Sequence, residues 1–238
     1  MRVIICKNKK EAVKKAVWLF SQEINNKKDL ILGLATGKTM IPFYKELIKA
    51  NIKFSKIHTF NLDEWYCVDS KDKNSLRSFM DKHFFNKVNI PKGNIHFLDG
   101  KTRNIKIECE KYERDIKKLN GIGLQILGIG INGHIGFDEP GTSFNSLTNK
   151  INISGEIRNL YSKNFKGFDN VPKYGLTMGI KTIMRSKKII LLAFGENKAD
   201  AIAKALNGKI NEKVPASILQ KHKDATFILD KKAASKLE

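Results

Sequence analysis

The sequence predicts a doubly wound α/β fold, a mostly parallel sheet with helices on both faces. Three observations carry this. Short apolar runs alternate with longer segments of helical period along most of the chain. The short runs are apolar on successive residues rather than on every second one, as strands covered on both faces require. The 238 residues, 41% hydrophobic and 29% charged with 5 prolines, have the composition of a globular protein with one sizeable core. No repeat, low-complexity linker or break in composition divides the chain, so residues 1–238 are expected to form a single domain.

The elements follow in order. Arg2–Cys6 is a first strand. Lys10–Asn25 carries Val13, Ala16, Val17, Phe20 and Ile24 on one helical face. Leu30–Leu34 is a buried strand ending at small residues. Met40–Ala50 is a helix, with Thr39 as candidate N-cap and Pro42 tolerated in its first turn. Lys56–Asn61 is a strand, Ser75–Phe85 a helix, Ile95–Leu98 a short strand and Lys106–Leu119 an amphipathic helix. Leu124–Leu127 is a strand that runs into a glycine-rich stretch. Lys188–Phe194, Lys198–Leu206 and Thr226–Leu229 are strand, helix and last strand. Residues 155–173 are polar and weakly periodic, a surface lid or a long loop.

Forty-four Lys and Arg against 24 Asp and Glu give a net charge of +20. The lysines are spread along the polar faces of helices. No arginine-rich arm, helix-turn-helix punctuation or aromatic RNA-binding signature gathers them, so nucleic acid is not the expected partner. A basic surface favours a small anionic substrate by steering. No run approaches the ~20 apolar residues of a membrane helix, and the N-terminal apolar run is too short for a signal peptide. Cys6, Cys67 and Cys109 are far apart and form no CxxC, which fits a reducing cytoplasm better than a disulfide framework or a thiolate metal site.

Two motifs mislead. Gly37-Lys38-Thr39 resembles the end of a P-loop, but Leu32 stands where the first glycine belongs. Gly128-Ile129-Gly130-Ile131-Asn132-Gly133 matches a dinucleotide fingerprint, but Gly136 and Pro140 interrupt the helix it should open, and no acidic residue ends a following strand.

Ligands of open α/β sheets bind beyond the carboxyl ends of strands. Four such ends are polar here. Thr36-Gly37-Lys38-Thr39 offers hydroxyls and amides suited to a phosphate, or an ordinary turn. Asp63-Glu64 presents adjacent carboxylates, of which one can face the crevice while the other makes structure. Asn132, His134 and Glu139 share a glycine-rich loop. There the imidazole suits proton transfer near neutrality, and its neighbours can orient it or raise its basicity. Glycines in this loop let backbone approach a ligand. Lys198 stands at a helix start, where a cation is disfavoured unless an anion is bound. HExxH spacing and His/Cys clusters are absent, so no metal is expected.

These residues resemble the glucosamine-6-phosphate deaminase (isomerising) family, from the first strand to Leu229. The most specific parts are Leu32-Gly33-Leu34-Ala35-Thr36-Gly37, Phe60-Asn61-Leu62-Asp63-Glu64-Trp65, Gly133-His134-Ile135-Gly136-Phe137-Asp138-Glu139-Pro140 and the stretch from Ser217. The related 6-phosphogluconolactonases share the fold but lack the Phe-x-Glu-Pro ending. The resemblance implies a Rossmann-like sheet of the sugar-phosphate isomerase type, acting on a small sugar phosphate without cofactor or metal, as a monomer or homo-oligomer. It implies His134 as the acid/base of ring opening, Asp63 as the group moving a proton between C2 and C1, and Glu139 as the partner of His134. Thr36, Gly37, Lys38, Thr39, Lys163 and Lys198 would surround the phosphate. Asn132 stands where some members carry Asp, Lys38 replaces a small residue, and Lys163 stands where Arg is common. Members activated by N-acetylglucosamine 6-phosphate hold it with a basic pair, for which this chain has Asn149 and Ile151 around Lys150. Little or no activation is therefore expected. A galactosamine 6-phosphate isomerase and a non-catalytic sugar-phosphate sensor are the competing readings.

Overall fold

The computed structural model describes residues 1–27 and 29–237. Ten strands and seven α-helices are named among them: β1 Arg2–Cys6, α1 Lys9–Asn26, β2 Ile31–Leu34, α2 Met40–Leu47, β3 His58–Asn61, β4 Asp63–Trp65, α3 Leu76–His83, β5 Ile95–His96, α4 Ile105–Lys118, β6 Leu124–Leu127, β7 Asn149–Asn152, α5 Gly155–Tyr161, β8 Tyr174–Thr177, α6 Ile180–Met184, β9 Lys188–Ala193, α7 Ala199–Asn207 and β10 Ala225–Asp230.

Seven strands form one sheet in the order β1-β10-β9-β6-β2-β3-β5, every pair parallel. From β1 to β5 the chain steps towards one edge, then returns to β6 and steps towards the other. Right-handed crossovers then place α1, α2 and α3 on one face and α4 and α7 on the opposite one. Phe20 of α1 packs edge-on against Phe43 of α2, and Tyr44 of α2 stacks on Phe84 beyond α3, which ties that face together. The helical period expected for α1 is the one observed: Val13, Ala16, Val17, Phe20 and Ile24 are buried. All four residues of β2 and of β6 are buried, which is why these strands read as uninterrupted apolar runs.

A second, antiparallel sheet, β4-β8-β7, stands apart from the first. It covers a separate cluster of Trp65, Val68, Leu76, Phe137, Ile153, Ile157 and Val171. None of its strands is foreseen by periodicity. Residues 63–65 read as a loop end, and β7 alternates half-buried with exposed polar residues. The segment 155–173 opens with a helix, α5, capped by the Ser154 hydroxyl, which accepts from the Ile157 amide, and continues as turns.

Other differences lie at boundaries. The Met40–Ala50 helix passes into a 3₁₀ turn at Ile48, and Ser75–Phe85 shortens to α3 because Phe84 leaves helical geometry. Strand Ile95–Leu98 keeps two residues, since β3 offers only Thr59 and Phe60 as partners. Thr39 does not cap α2. It is itself helical, at φ −65° and ψ −34°, whereas a capping residue must be extended to turn its hydroxyl back onto the helix.

Candidate active site

The four polar strand ends belong to β9, β6, β2 and β3, contiguous strands in the middle of the sheet. The chain diverges between β6 and β2, leaving a crevice where the loops part, the position in which such sheets take ligands. Gly128, just beyond β6, lies against Met40 at the start of α2, so the β2 and β6 loops meet at this point.

Beyond β3 the backbone continues into β4, where Asp63 pairs with Thr177 of β8. The two adjacent carboxylates divide their roles. Glu64 accepts from the amides of Trp65, Leu76 and Arg77 at 2.8–2.9 Å and so ties β4 to the start of α3. Asp63 is buried, and its Oδ1 has no hydrogen-bond partner among the described residues. Burial, with the neighbouring Glu64 charge adding to it, pushes the Asp63 carboxyl up to about 8. Burial raises Glu64 as well, to about 7, against the pull of its three amide donors.

The loop after β6 folds onto itself. Gly130 N–H donates to the His134 carbonyl at 2.9 Å, and Gly133 N–H to the Gly130 carbonyl at 3.1 Å. A Cβ at Gly130 would lie 2.2 Å from the His134 ring. This glycine therefore makes room for the imidazole itself, not for a ligand as its position in the motif suggests. Ala216 N–H donates to the Gly133 carbonyl at 2.9 Å and braces the loop from the 3₁₀ turn Pro215–Lys221.

His134 Nδ1 lies 2.8 Å from Asn132 Oδ1 and 3.3 Å from Glu139 Oε1, while Asn132 Nδ2 donates to Glu139 Oε2 at 2.8 Å. The amide orientation fixes the tautomer. Asn132 Oδ1 also accepts from the His134 backbone N–H, so Nδ1 must carry the hydrogen and Nε2 keeps its lone pair. Glu139 favours an imidazolium, but burial first and the Lys198 charge second act against it and push His134 down to about 4. The ring is a neutral base at neutral pH. Burial raises Glu139, while the Asn132 and Ser154 side chains draw it down by hydrogen bonding.

Beyond β9, Gly195 turns at φ +89°, and its N–H donates to both oxygens of Asp230 at 3.0 and 3.2 Å. This turn carries Lys198, half-buried within electrostatic reach of His134 and lowered by burial, with Glu156 of α5 opposing the shift. Thr36, Gly37 and Thr39 are half-buried and Lys38 exposed, in a turn with Gly37 at φ +98°. Lys163 is exposed on the turns after α5, and the structure gives it no side-chain contact to the cluster.

Asn132, His134 and Glu139 are thus in contact, the Lys198 charge acts on His134, and Asp63 lies against Gly136 of the same loop, 3.6 Å from where a Cβ there would stand. Several polar groups escaped the sequence reading. Asp230 has no motif around it, although a carboxylate closing the last strand was a usable signal. Asp138 lay within the diagnostic motif. Thr177, Ser154 and Glu156 come from the small sheet and α5, which periodicity did not find. Asn61, Asp63, Asp138 and Glu139 all carry buried side-chain atoms without hydrogen-bond partners among the described residues, a concentration of unsatisfied polarity suited to a polyhydroxylated ligand. A groove of about 500 Å³ between Ile5, Lys14 and Trp18 lies at the β1 edge, three strands from β6, and contains none of these groups. Among the described residues no cluster of His, Cys, Asp or Glu is arranged to hold a metal, and no helix is long and apolar enough to cross a membrane.

Residues 7–228 match the family model described as glucosamine-6-phosphate isomerases/6-phosphogluconolactonase. The chain belongs to this family. It is 49% identical over 242 residues to a glucosamine-6-phosphate deaminase of Clostridium botulinum (strain Langeland), covering 100% of this chain and 99% of that one. It is 48% identical over 241 residues to one of Clostridium novyi (strain NT), covering both chains fully at 100%. A solved structure described as a monomeric glucosamine-6-phosphate deaminase of the NagB superfamily superposes with a TM-score of 0.96 at 40% identity, over 99% of this chain and 100% of that one. A 6-phosphogluconolactonase from Thermotoga maritima, at 23% identity and a TM-score of 0.78, shares the fold.

Proposed function

We propose that the protein is a glucosamine-6-phosphate deaminase, converting glucosamine 6-phosphate and water to fructose 6-phosphate and ammonia in amino-sugar breakdown. The observation that carries this is a neutral His134 with Nε2 unprotonated, sharing a loop with the turn that lies against a buried Asp63. That pairing supplies two separate proton movements, as an aldose–ketose isomerisation following ring opening requires.

His134 Nε2 takes the proton of the C1 hydroxyl and returns one to the ring oxygen as the C1–O5 bond breaks. Glu139 and Asn132 hold the ring through Nδ1 and steady the transient positive charge. The Asp63 carboxylate then removes the proton from C2 while O1 takes up the proton shed by the C2 ammonium, giving an enol-amine, and Asp63 returns its proton to C1, leaving an iminium at C2. Water adds at C2 and ammonia departs. Thr36, Gly37, Lys38, Thr39, Lys163 and Lys198 are proposed to hold the phosphate, Lys198 by the half-buried charge that His134 already feels.

Residues 1–238 work as one unit in this reading, because the site draws on loops from both sheets. We assign a monomer, in line with the relative described as monomeric, and a cytoplasmic location, in which Cys6, Cys67 and Cys109 stay free. Activation by N-acetylglucosamine 6-phosphate is not expected: Asn149 and Ile151 are uncharged, and Lys150 lies over the ring of Tyr174 at 3.9 Å.

The deciding experiment is ammonia release from glucosamine 6-phosphate by purified protein, with galactosamine 6-phosphate in parallel. Release selective for the gluco epimer supports the reading. Selectivity for the galacto epimer replaces the substrate, and silence with both, in protein that still binds sugar phosphate, turns it into a sensor.

A further inference from the structure

Asp138 stands one residue before Glu139 and is fully buried. Neither of its carboxyl oxygens has a hydrogen-bond partner among the described residues. It closes the tight turn Ile135–Asp138, in which the Asp138 N–H donates to the Ile135 carbonyl at 3.1 Å. Gly136 within that turn adopts φ +60°, and a Cβ there would stand 3.2 Å from Thr177 Oγ1 and 3.6 Å from Asp63 Oδ2. Phe137 N–H donates to the same Thr177 hydroxyl at 3.3 Å, and Thr177 is the strand partner of Asp63. The turn bearing Asp138 is therefore strapped to the strand pair that bears Asp63.

An ionised carboxylate in such a place would forgo water and gain no donor in return, a cost of several kcal/mol in general. A carboxylic acid avoids that cost and has one O–H to donate. Asp63 Oδ1, also buried and without a partner, is an acceptor on the strand to which this turn is strapped, and the Asp63 charge reaches Asp138.

We infer that Asp138 is a positioning residue of this reaction: a buried carboxylic acid whose proton is held against Asp63, so that Asp63 alone of the two becomes the carboxylate that moves the substrate proton. The inference rests on the deaminase reading. Two buried like carboxyls within reach of each other's charge cannot both ionise easily, and the one that ionises first keeps the other protonated. The charges support the order. Burial, and then the charge of Asp63, hold Asp138 well above the carboxylate range, whereas the charge acting on Asp63 is that of Glu64. The other titratable groups that feel Asp63 are the phenols of Tyr44, Tyr112 and Tyr161, which stay neutral at higher pH still.

The test combines infrared spectroscopy with kinetics. At about pH 9–9.5, above the value at which Asp63 ionises, the protonated-carboxyl C=O band is recorded for the wild type, Asp63→Asn and Asp138→Asn. The band is expected in the first two and absent in the third. Asp138→Asn keeps a neutral N–H donor of the same shape and is expected to retain kcat within about threefold, whereas Asp138→Ala leaves Asp63 without its donor and lowers kcat by about tenfold or more with KM within about twofold. No band in the wild type, a band that survives in Asp138→Asn, or equal kcat in the Asn and Ala variants would overturn the inference. Thermal melts establish that each variant is folded; if Asp138→Ala is not, the infrared comparison decides alone. The infrared readout needs no turnover, so an inactive wild type would remove the deaminase reading while leaving the state of Asp138 measured.

Discussion

The parallel seven-stranded sheet and the small antiparallel sheet contribute opposite halves of the proposed site. The large sheet supplies the imidazole and the lysine, on loops leaving β6 and β9, backed by strands buried on both faces. The small sheet supplies Asp63, held in a three-residue strand over a core of seven side chains around Trp65. The loop 128–141 joins the two, with Ile135 in the large core and Phe137 in the small one. The scaffold is thus deep where charge is held loosely, and shallow where a carboxylate is held out of water. Loss of the small core should remove activity before the molecule as a whole unfolds.

The largest effect that sharpens this contrast is on Asp63. Asp63→Asn is expected to lower kcat by about 10²–10⁴-fold with little change in KM, since a positioned base contributes on that order. Steady-state kinetics at saturating substrate check it. The same change should stabilise the fold at alkaline pH. The folded carboxyl sits at about 8, raised by burial, so between the ordinary aspartate range and about 8 the native state binds the extra proton and stability falls as pH rises. Removing the carboxyl removes that fall, so the melting temperature of Asp63→Asn should exceed the wild type's near pH 9 and approach it in acid. In the wild type, kcat/KM should rise with pH towards about 8 as Asp63 ionises, with no loss of the His134 base above about pH 5.

Trp65→Ala comes next, at about 3–5 kcal/mol for deleting a buried tryptophan. Phe20→Ala, in the large core, should cost a similar global stability. The two differ in function. With protein still folded, Trp65→Ala should lose most of its kcat because Asp63 shifts with its strand, whereas Phe20→Ala should keep kcat near wild type. Equal kcat in the two variants would break the contrast.

What the sequence disclosed follows the same division. β2, β6, β9 and β10 are apolar on every face because helices cover both sides, and no neighbour is needed to recognise them. β4, β7 and β8 are three or four residues long, polar where they face water, and exist only by pairing across the long separation from Asp63 to Thr177. Local pattern carries no record of such a pairing. Asp63, His134 and Glu139 were legible because they sit in motifs at strand ends. Asp230 was not, since its hold on Gly195 joins β10 to a turn 35 residues earlier. The mixed identity of Asp63-Glu64 was legible in principle, but which carboxylate faces the crevice is decided by the three amides that converge on Glu64.

Gly136→Ala tests the seam between the two sheets. The residue lies at φ +60° with Thr177 Oγ1 3.2 Å from the position of a Cβ, so the substitution costs about 1–3 kcal/mol in backbone strain and crowding. The group that must give way is the hydroxyl of Thr177, the strand partner of Asp63. We therefore expect kcat to fall further than the loss of stability alone would explain, measured on protein shown by its melting curve to be folded.

The smallest effect concerns Lys163. It extends from the turns after α5 into solvent, where a single charge contributes about 0–1 kcal/mol. Lys163→Ala should raise KM by no more than about fivefold and leave kcat unchanged, while Lys198→Ala, at a half-buried site beside His134, should act on both. If Lys163→Ala instead raised KM by tens of fold, the turns after α5 would have to swing inward over the phosphate during turnover. Glu156, which already exerts its charge on Lys198 from the same segment, would then lie in the path of that movement. Lys163→Arg separates the two cases. A fork that reaches the phosphate lowers KM through paired hydrogen bonds, whereas one left in solvent changes nothing.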